Sequence, residues 1–136
     1  MELDLRKLKH PIIADSGTLG VLDSPELPFQ PKRLYWIHSV PAGHTRGNHA
    51  HKKLSQFFWL IKGNVSIELS DGLETQILLM RENLDLLVVS PGHWRKLSNF
   101  SPDAIVVVGA DSIYDPKDYI HDWKEFLAWK KVSNGN

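Results

Sequence analysis

Two histidines separated by one residue are the feature of this sequence with the clearest chemical potential. His49 and His51 lie in Gly43-His44-Thr45-Arg46-Gly47-Asn48-His49-Ala50-His51-Lys52-Lys53, the densest polar segment of the chain. Side chains two apart on an extended strand project to the same face. Two imidazoles entering one cavity could ligate a metal, exchange protons with a bound molecule, or sit at the surface without a role. Neutral imidazole titrates near pH 6.5 and suits acid/base work at neutral pH. The other histidines, His10, His38, His44, His93 and His121, read as structural or exposed.

The elements that must hold this pair are strands. Turn signals recur about every ten residues, from Asp15-Ser16-Gly17 through Pro41-Ala42-Gly43, Gly63-Asn64 and Asp71-Gly72 to Ser90-Pro91-Gly92 and Ser101-Pro102-Asp103. Between them lie short β-branched and aromatic runs. Strands are expected over Lys32–Val40, Leu54–Ile61, Val65–Leu69, Thr75–Met80, Leu86–Val89, Arg95–Asn99 and Ala104–Ala110. Asp71-Gly72 fits a two-residue hairpin turn. Asp115 as N-cap and Pro116 at the first helical position predict one helix over about 115–131, frayed from Ser133 to Asn136. The pattern is that of an all-β single domain, a small barrel or jelly roll, closed by a C-terminal helix.

Composition narrows the function. The 136 residues carry 16 Lys plus Arg against 16 Asp plus Glu, so no basic excess favours nucleic acid or a membrane surface. There is no cysteine, which removes disulfides, zinc–thiolate sites, iron–sulfur clusters and a thiol nucleophile. The longest apolar run, Phe57–Ile61, is far too short for a membrane span, and the N-terminus lacks the apolar core of a signal peptide. A cytoplasmic location is expected.

The spacing is more specific than the composition. Gly43, His49, His51, Gln56 and Gly63 reproduce the first cupin motif, with Gln56 in place of its glutamate. Pro91-Gly92 and Asn99 frame the second motif, with Arg95 where its histidine stands. A cupin metal site uses three imidazoles and a carboxylate. Gln is a poor neutral ligand and Arg a permanent cation, so no metal and no other cofactor are expected.

The string Arg46-Gly47-Asn48-His49-Ala50-His51-Lys52-Lys53-Leu54-Ser55-Gln56 further resembles the signature of the bacterial sugar 3,4-ketoisomerases, the WxcM-like, FdtA/QdtA group. The resemblance extends through Pro28-Phe29, Lys32-Arg33-Leu34-Tyr35, Asp71-Gly72 and Trp94 to Tyr114-Asp115-Pro116-Lys117-Asp118-Tyr119-Ile120. It covers about residues 12 to 130. It implies a dTDP-4-keto-6-deoxyglucose substrate whose ketone moves from C4 to C3, on the way to an amino sugar of cell-surface polysaccharide. It also implies a homodimer with exchange of N-terminal strands. Five Trp and an apolar helix add to that expectation.

On this resemblance His49 is the base at C3, His51 relays protons between the oxygens, and Tyr35 donates to the developing oxyanion. Arg46 and Arg95 are the cations, one for the diphosphate and one for the sugar. Arg33, Gln56, Trp94 and Ser16 complete the substrate-binding set. Trp36, Trp59 and Trp94 also read as core or wall. Two positions depart from the family pattern: Ser16 stands for an arginine, and Arg95 for a histidine after the tryptophan. Arg at 95 points to an equatorial C4 hydroxyl, giving dTDP-3-keto-6-deoxyglucose rather than the galacto epimer. A non-catalytic nucleotide-sugar-binding cupin and a metal-dependent cupin enzyme are the competing readings.

Overall fold

Alternation of apolar and polar residues decides where each strand lies. A computed structural model describes residues 1–9 and 11–134 of the chain. His10, Gly135 and Asn136, and the expectations placed on them, lie outside the described residues. The order is β1 (Asp4–Lys7), β2 (Ile12–Ala14), β3 (Gly17–Leu19), β4 (Arg33–His38), β5 (Arg46–His51), β6 (Gln56–Lys62) and β7 (Ser66–Ser70). It continues with β8 (Thr75–Leu79), β9 (Asp85–Val89), β10 (Trp94–Ser98), β11 (Ile105–Ala110), β12 (Tyr119–Ile120) and helix α1 (Trp123–Asn134). Two antiparallel five-stranded sheets form, ordered β1-β9-β6-β11-β4 and β12-β5-β10-β7-β8. The chain crosses between them after β4, β5, β6, β8, β9, β10 and β11. This is the jelly-roll form of the expected fold: two open sheets packed face to face, not a closed barrel.

The core lies between the sheets. Phe58 and Leu60 of β6, Ile67 and Leu69 of β7, Leu97 of β10 and Val106 and Val108 of β11 are all buried there. On β4 the alternation sends Arg33, Tyr35 and Ile37 inward and Leu34, Trp36 and His38 outward. Trp36, expected in the core or wall, is 63% exposed on the outer face of its sheet. Helix α1 covers the outer face of the second sheet, where Phe126 packs with Ala50 and Ile120, flanked by Trp94, Leu127 and Trp129.

Two expectations need correction. The β7–β8 loop has four residues, 71–74, because Asp71 accepts from both Leu73 N and Glu74 N and so closes an Asx turn longer than the Asp-Gly pair alone. The helix begins at Trp123, not at 115. Asp115 does cap a turn, accepting from Lys117 N at 3.0 Å, but only the short 3-10 turn Pro116–Asp118. Tyr119 and Ile120 then pair with His51 and Ala50 as β12. Asp122 caps α1, accepting from Glu125 N at 2.9 Å. Strands β1 to β3 were not expected from the pattern.

Gly109 shows how tightly β11 meets its neighbour. A Cβ there would lie 2.2 Å from the ring of Phe57. Gly109→Ala is therefore expected to overpack this contact and cost about 1–3 kcal/mol. Urea unfolding of the variant checks it, and an unchanged midpoint would refute the packing argument.

Candidate active site

The inward faces of β5 and β10 meet those of β4 and β6 at one end of the sandwich. His49 and His51 come from β5, Arg95 from β10, Arg33 and Tyr35 from β4, and Gln56 from β6. A bulge in β5 prepares this convergence. Asn48 is the extra residue: His49 pairs with Arg95 and Gly47 with Lys96, its next neighbour. Gly47 (φ 88°) and Asn48 (φ 59°) both take left-handed conformations. A Cβ on Gly47 would lie 3.0 Å from the Arg95 carbonyl oxygen, so only glycine lets the two strands close up here.

Past the bulge the imidazole rings of His49 and His51 stand 4.9 Å apart, edge to face. The Gly47 backbone accepts a hydrogen bond from His49. His51 Nδ1 bonds the Asp118 carboxylate at 3.0 Å. Both Nε2 atoms are buried and have no protein partner. Desolvation by burial lowers both imidazoles from the ordinary 6.5 to about 3, and the positive charge of Arg95 adds to it. Both are therefore neutral at pH 7.

Arg95 is 1% exposed, yet no carboxylate within the described residues forms an ion pair with it. Its Nη2 donates to the His93 carbonyl at 2.8 Å and its Nη1 to Gln56 Oε1, while its Nε is buried without a partner. Burial pulls the guanidinium down to about 10, still fully charged at neutral pH. Gln56 Nε2 in turn donates to the Tyr35 hydroxyl at 3.1 Å. With its oxygen accepting from Gln56, Tyr35 keeps its own proton to give. Burial raises its pKa, so it stays a phenol. A glutamate at 56 would accept hydrogen bonds from both neighbours and so engage that O–H; the amide nitrogen leaves it free.

The residues present do not fit the cupin metal. Gln56 is engaged by Arg95 and Tyr35, and the Arg95 charge stands beside both imidazoles, where it would repel a divalent ion. Among the described residues, no group of three His, Cys, Asp or Glu side chains is arranged to hold one.

A cavity of about 60 Å³ is bordered by Tyr35, Arg46, His49, Gln56 and Arg95. Tyr35, Ile37 and Arg46 also line a wider cleft of about 360 Å³ running to His38 and His44. Arg46 thus stands exposed at the rim. The guanidinium of Arg33 lies 4.8 Å over the Tyr35 ring and 5.4 Å over that of Tyr114, with Nη1 buried and unpartnered. Two residues of the sequence-derived set lie elsewhere in the chain. Trp94 points to the opposite face from Arg95 and packs at 5.5 Å on Trp123 and 5.8 Å on Phe126, beneath the helix. Ser16 lies in the turn of the exposed β2–β3 hairpin.

The sequence reading missed a strap. Residues 114–121 run alongside β5 and add Tyr119, whose ring lies 4.4 Å from His51 and 4.9 Å from His49. His121, read as structural or exposed, stacks on Tyr119 at 5.3 Å and reaches within 6.0 Å of His49. The signal was present: two capping aspartates, Asp115 and Asp122, seven residues apart, mark two elements where one helix was expected.

The lowered imidazoles link the site to stability. Between pH 6.5 and 3 the unfolded chain binds protons at His49 and His51 that the folded chain refuses. Their contribution is thus fully present above about pH 6.5 and is lost as pH falls towards 3. The expected slope is at most about 1.4 kcal/mol per pH unit for each ring. Urea unfolding at pH 7 and pH 5 should show the loss, and His49→Asn should flatten it. Equal slopes in both proteins would overturn the assignment.

Comparison with known proteins gives the family of the chain. A family model described as FdtA, WxcM-like, C-terminal, matches residues 1–131. A TDP-4-oxo-6-deoxy-alpha-D-glucose-3,4-oxoisomerase from Aneurinibacillus thermoaerophilus is 31% identical over 129 residues, covering 95% of this chain and 93% of that protein. A crystal structure of a 3,4-ketoisomerase from Helicobacter canadensis superposes with a TM-score of 0.86 at 31% identity, over 96% of this chain and 99% of the other. A histidine-to-asparagine mutant of the Thermoanaerobacterium thermosaccharolyticum 3,4-ketoisomerase QdtA, solved in complex with TDP-4-keto-6-deoxyglucose, gives 0.88 at 30% identity, over 96% and 94%. The chain belongs to the FdtA, WxcM-like family and is an enzyme of the 3,4-ketoisomerase class.

Proposed function

We propose that this enzyme moves the keto group of dTDP-4-keto-6-deoxyglucose from C4 to C3 by metal-free acid/base catalysis. The observation that carries the reading is the convergence of two unpartnered imidazole Nε2 atoms with a buried guanidinium that lacks a counter-ion. A ketone acidifies the C–H beside it. His49 takes the C3 proton, and the charge that develops on O4 is met by Tyr35 O–H and Arg95. His51 carries the O3 proton to O4. C4 takes a proton on the face opposite His49, the proton on His49 passes to solvent, and the C3 ketone is left. Atoms and electrons balance with no external oxidant.

Burial holds both imidazoles low, and the charge of Arg95 adds to it. The negative charge that develops on the enediolate offsets Arg95, so the imidazolium formed with it is stabilised. Arg95, deep in the cavity, suits the sugar oxygens; Arg46, at the rim, suits the diphosphate; Arg33 suits a second anionic oxygen. Arg95 cannot serve as a proton donor at C4. The axial hydrogens at C3 and C4 of a gluco sugar lie on opposite faces, so the equatorial C4 hydroxyl of dTDP-3-keto-6-deoxyglucose requires the C4 proton to arrive on the face opposite His49.

The working unit is a homodimer. The β2–β3 hairpin pairs only with itself in one chain, with Ile12, Ile13 and Leu19 exposed. The outer face of β4 exposes Leu34 and Trp36 as well. A second copy of the chain covers both surfaces, and hairpin exchange would carry Ser16 towards the partner's cavity. Light scattering at micromolar concentration should give about twice the 15.5 kDa of one chain. A mass of one chain would overturn it.

In deuterated water the enzyme should place deuterium at C3 or C4 of the sugar, and in ordinary water the fresh product should show the large H4–H5 coupling of an equatorial hydroxyl. His49→Asn should lower kcat by about 10²–10⁴-fold with KM within about threefold. Substrate that binds without exchange would make the protein a binder. A steep rise in KM at unchanged kcat would make His49 a binding residue.

A further inference from the structure

We infer that Asp118 is the positioning residue of His51: its carboxylate fixes the imidazole in the tautomer that carries its proton on Nδ1 and leaves Nε2 free for the substrate. The inference rests on the isomerase reading for its catalytic consequence, but not for its geometry. Asp118 ends the 3-10 turn of the strap, immediately before the β12 pairing of Tyr119 with His51. Its main chain is tied on both sides. Asp118 N donates to the Asp115 carbonyl at 3.1 Å, and the Asp118 carbonyl accepts from Lys52 N at 3.0 Å.

The carboxylate is surrounded by donors. Oδ1 accepts from Lys53 N at 2.7 Å, and Oδ2 accepts from Leu54 N at 3.3 Å and faces His51 Nδ1 at 3.0 Å. An ionised carboxylate only accepts. A lone pair on Nδ1 would therefore face a lone pair on Oδ2 in a place where water cannot intervene, since the His51 side chain is 0% and that of Asp118 9% exposed. Nδ1 must carry the hydrogen. In the neutral ring Nε2 is then the acceptor, and Nε2 is the atom left buried and unpartnered, beside the His49 ring that borders the cavity.

The same contact serves turnover. When His51 takes the O3 proton on Nε2 it becomes a cation, and the carboxylate behind it stabilises that state. The relay then releases its proton to O4 without the ring having to rotate. Tautomer and charge are thus set from the rear of the ring, the logic by which a buried aspartate supports a catalytic histidine in other enzymes. A purely structural Asp118 would only brace the turn after β5 through Lys53 N and Leu54 N.

Asp118→Asn separates the two roles. The amide oxygen can keep the short bond to Lys53 N, which leaves the amide N–H pointing at His51 Nδ1 and forces the proton to Nε2. Long-range ¹H–¹⁵N NMR of the imidazoles reads the tautomer directly. The wild type should show His51 protonated at Nδ1 at pH 7. The variant should show protonation at Nε2, kcat lower by about 10²-fold or more, and KM within about threefold. A wild-type His51 protonated at Nε2 overturns the proposal without any variant, and so does a folded variant whose tautomer or kcat is unchanged. A wild type that shows no isomerisation refutes the isomerase reading instead, while the tautomer of the same sample still decides the geometry.

Discussion

A positive charge buried without a negative partner governs this molecule. Arg95 sits inside the sandwich, held by an amide and a carbonyl, with its Nε unsatisfied. Such an arrangement is costly by itself. It persists because several neighbours are shaped to it. Gly47 gives up a side chain so that β5 can approach the Arg95 backbone. Gln56 offers a neutral oxygen to the cation and turns its own N–H to Tyr35. Both imidazoles are kept neutral. The surroundings of Arg95 thus favour negative charge on any group placed beside it.

The two sheets divide the labour. The sheet holding β5 and β10 supplies the imidazoles and the guanidinium, and the sheet holding β4 and β6 supplies the phenol and the amide bonded to it. Contact between them runs through one hydrogen-bonded line, Arg95 to Gln56 to Tyr35, above a core of Phe58, Leu97 and Ile37. The donor sense of that line follows from the ends: a guanidinium can only donate, so the amide must present its oxygen to Arg95 and its nitrogen to Tyr35. The substitution that departs from the cupin pattern at position 56 is thereby matched to the one at position 95.

Local patterns made most of this legible. Strands β4 and β6 to β11 follow from the turn spacing and the β-branched and aromatic runs between the turns, and the shared face of His49 and His51 follows from their spacing. The bulge at Gly47-Asn48 was not read from the sequence, since it depends on the partner strand. Long-range and tertiary facts were not legible. Trp94 looked like part of the cavity, but strand parity turns it to the helix side, because Arg95 takes the inner face. The β2–β3 hairpin escaped notice because its three-residue strands bury nothing in one chain. Asp118 fell inside the span expected to be helical, where a carboxylate two residues after a proline fits a helix start equally well until the partner across space is known.

The bond between His51 and Asp118 joins residues 67 positions apart. Contacts that distant form late, because chain must be closed into a loop before they gain anything. A nascent jelly roll lacking its last segment could already hold both imidazoles and Arg95 while nothing sets the proton on His51. The surroundings of the His51 ring are therefore a property of the finished topology and not of β5 alone.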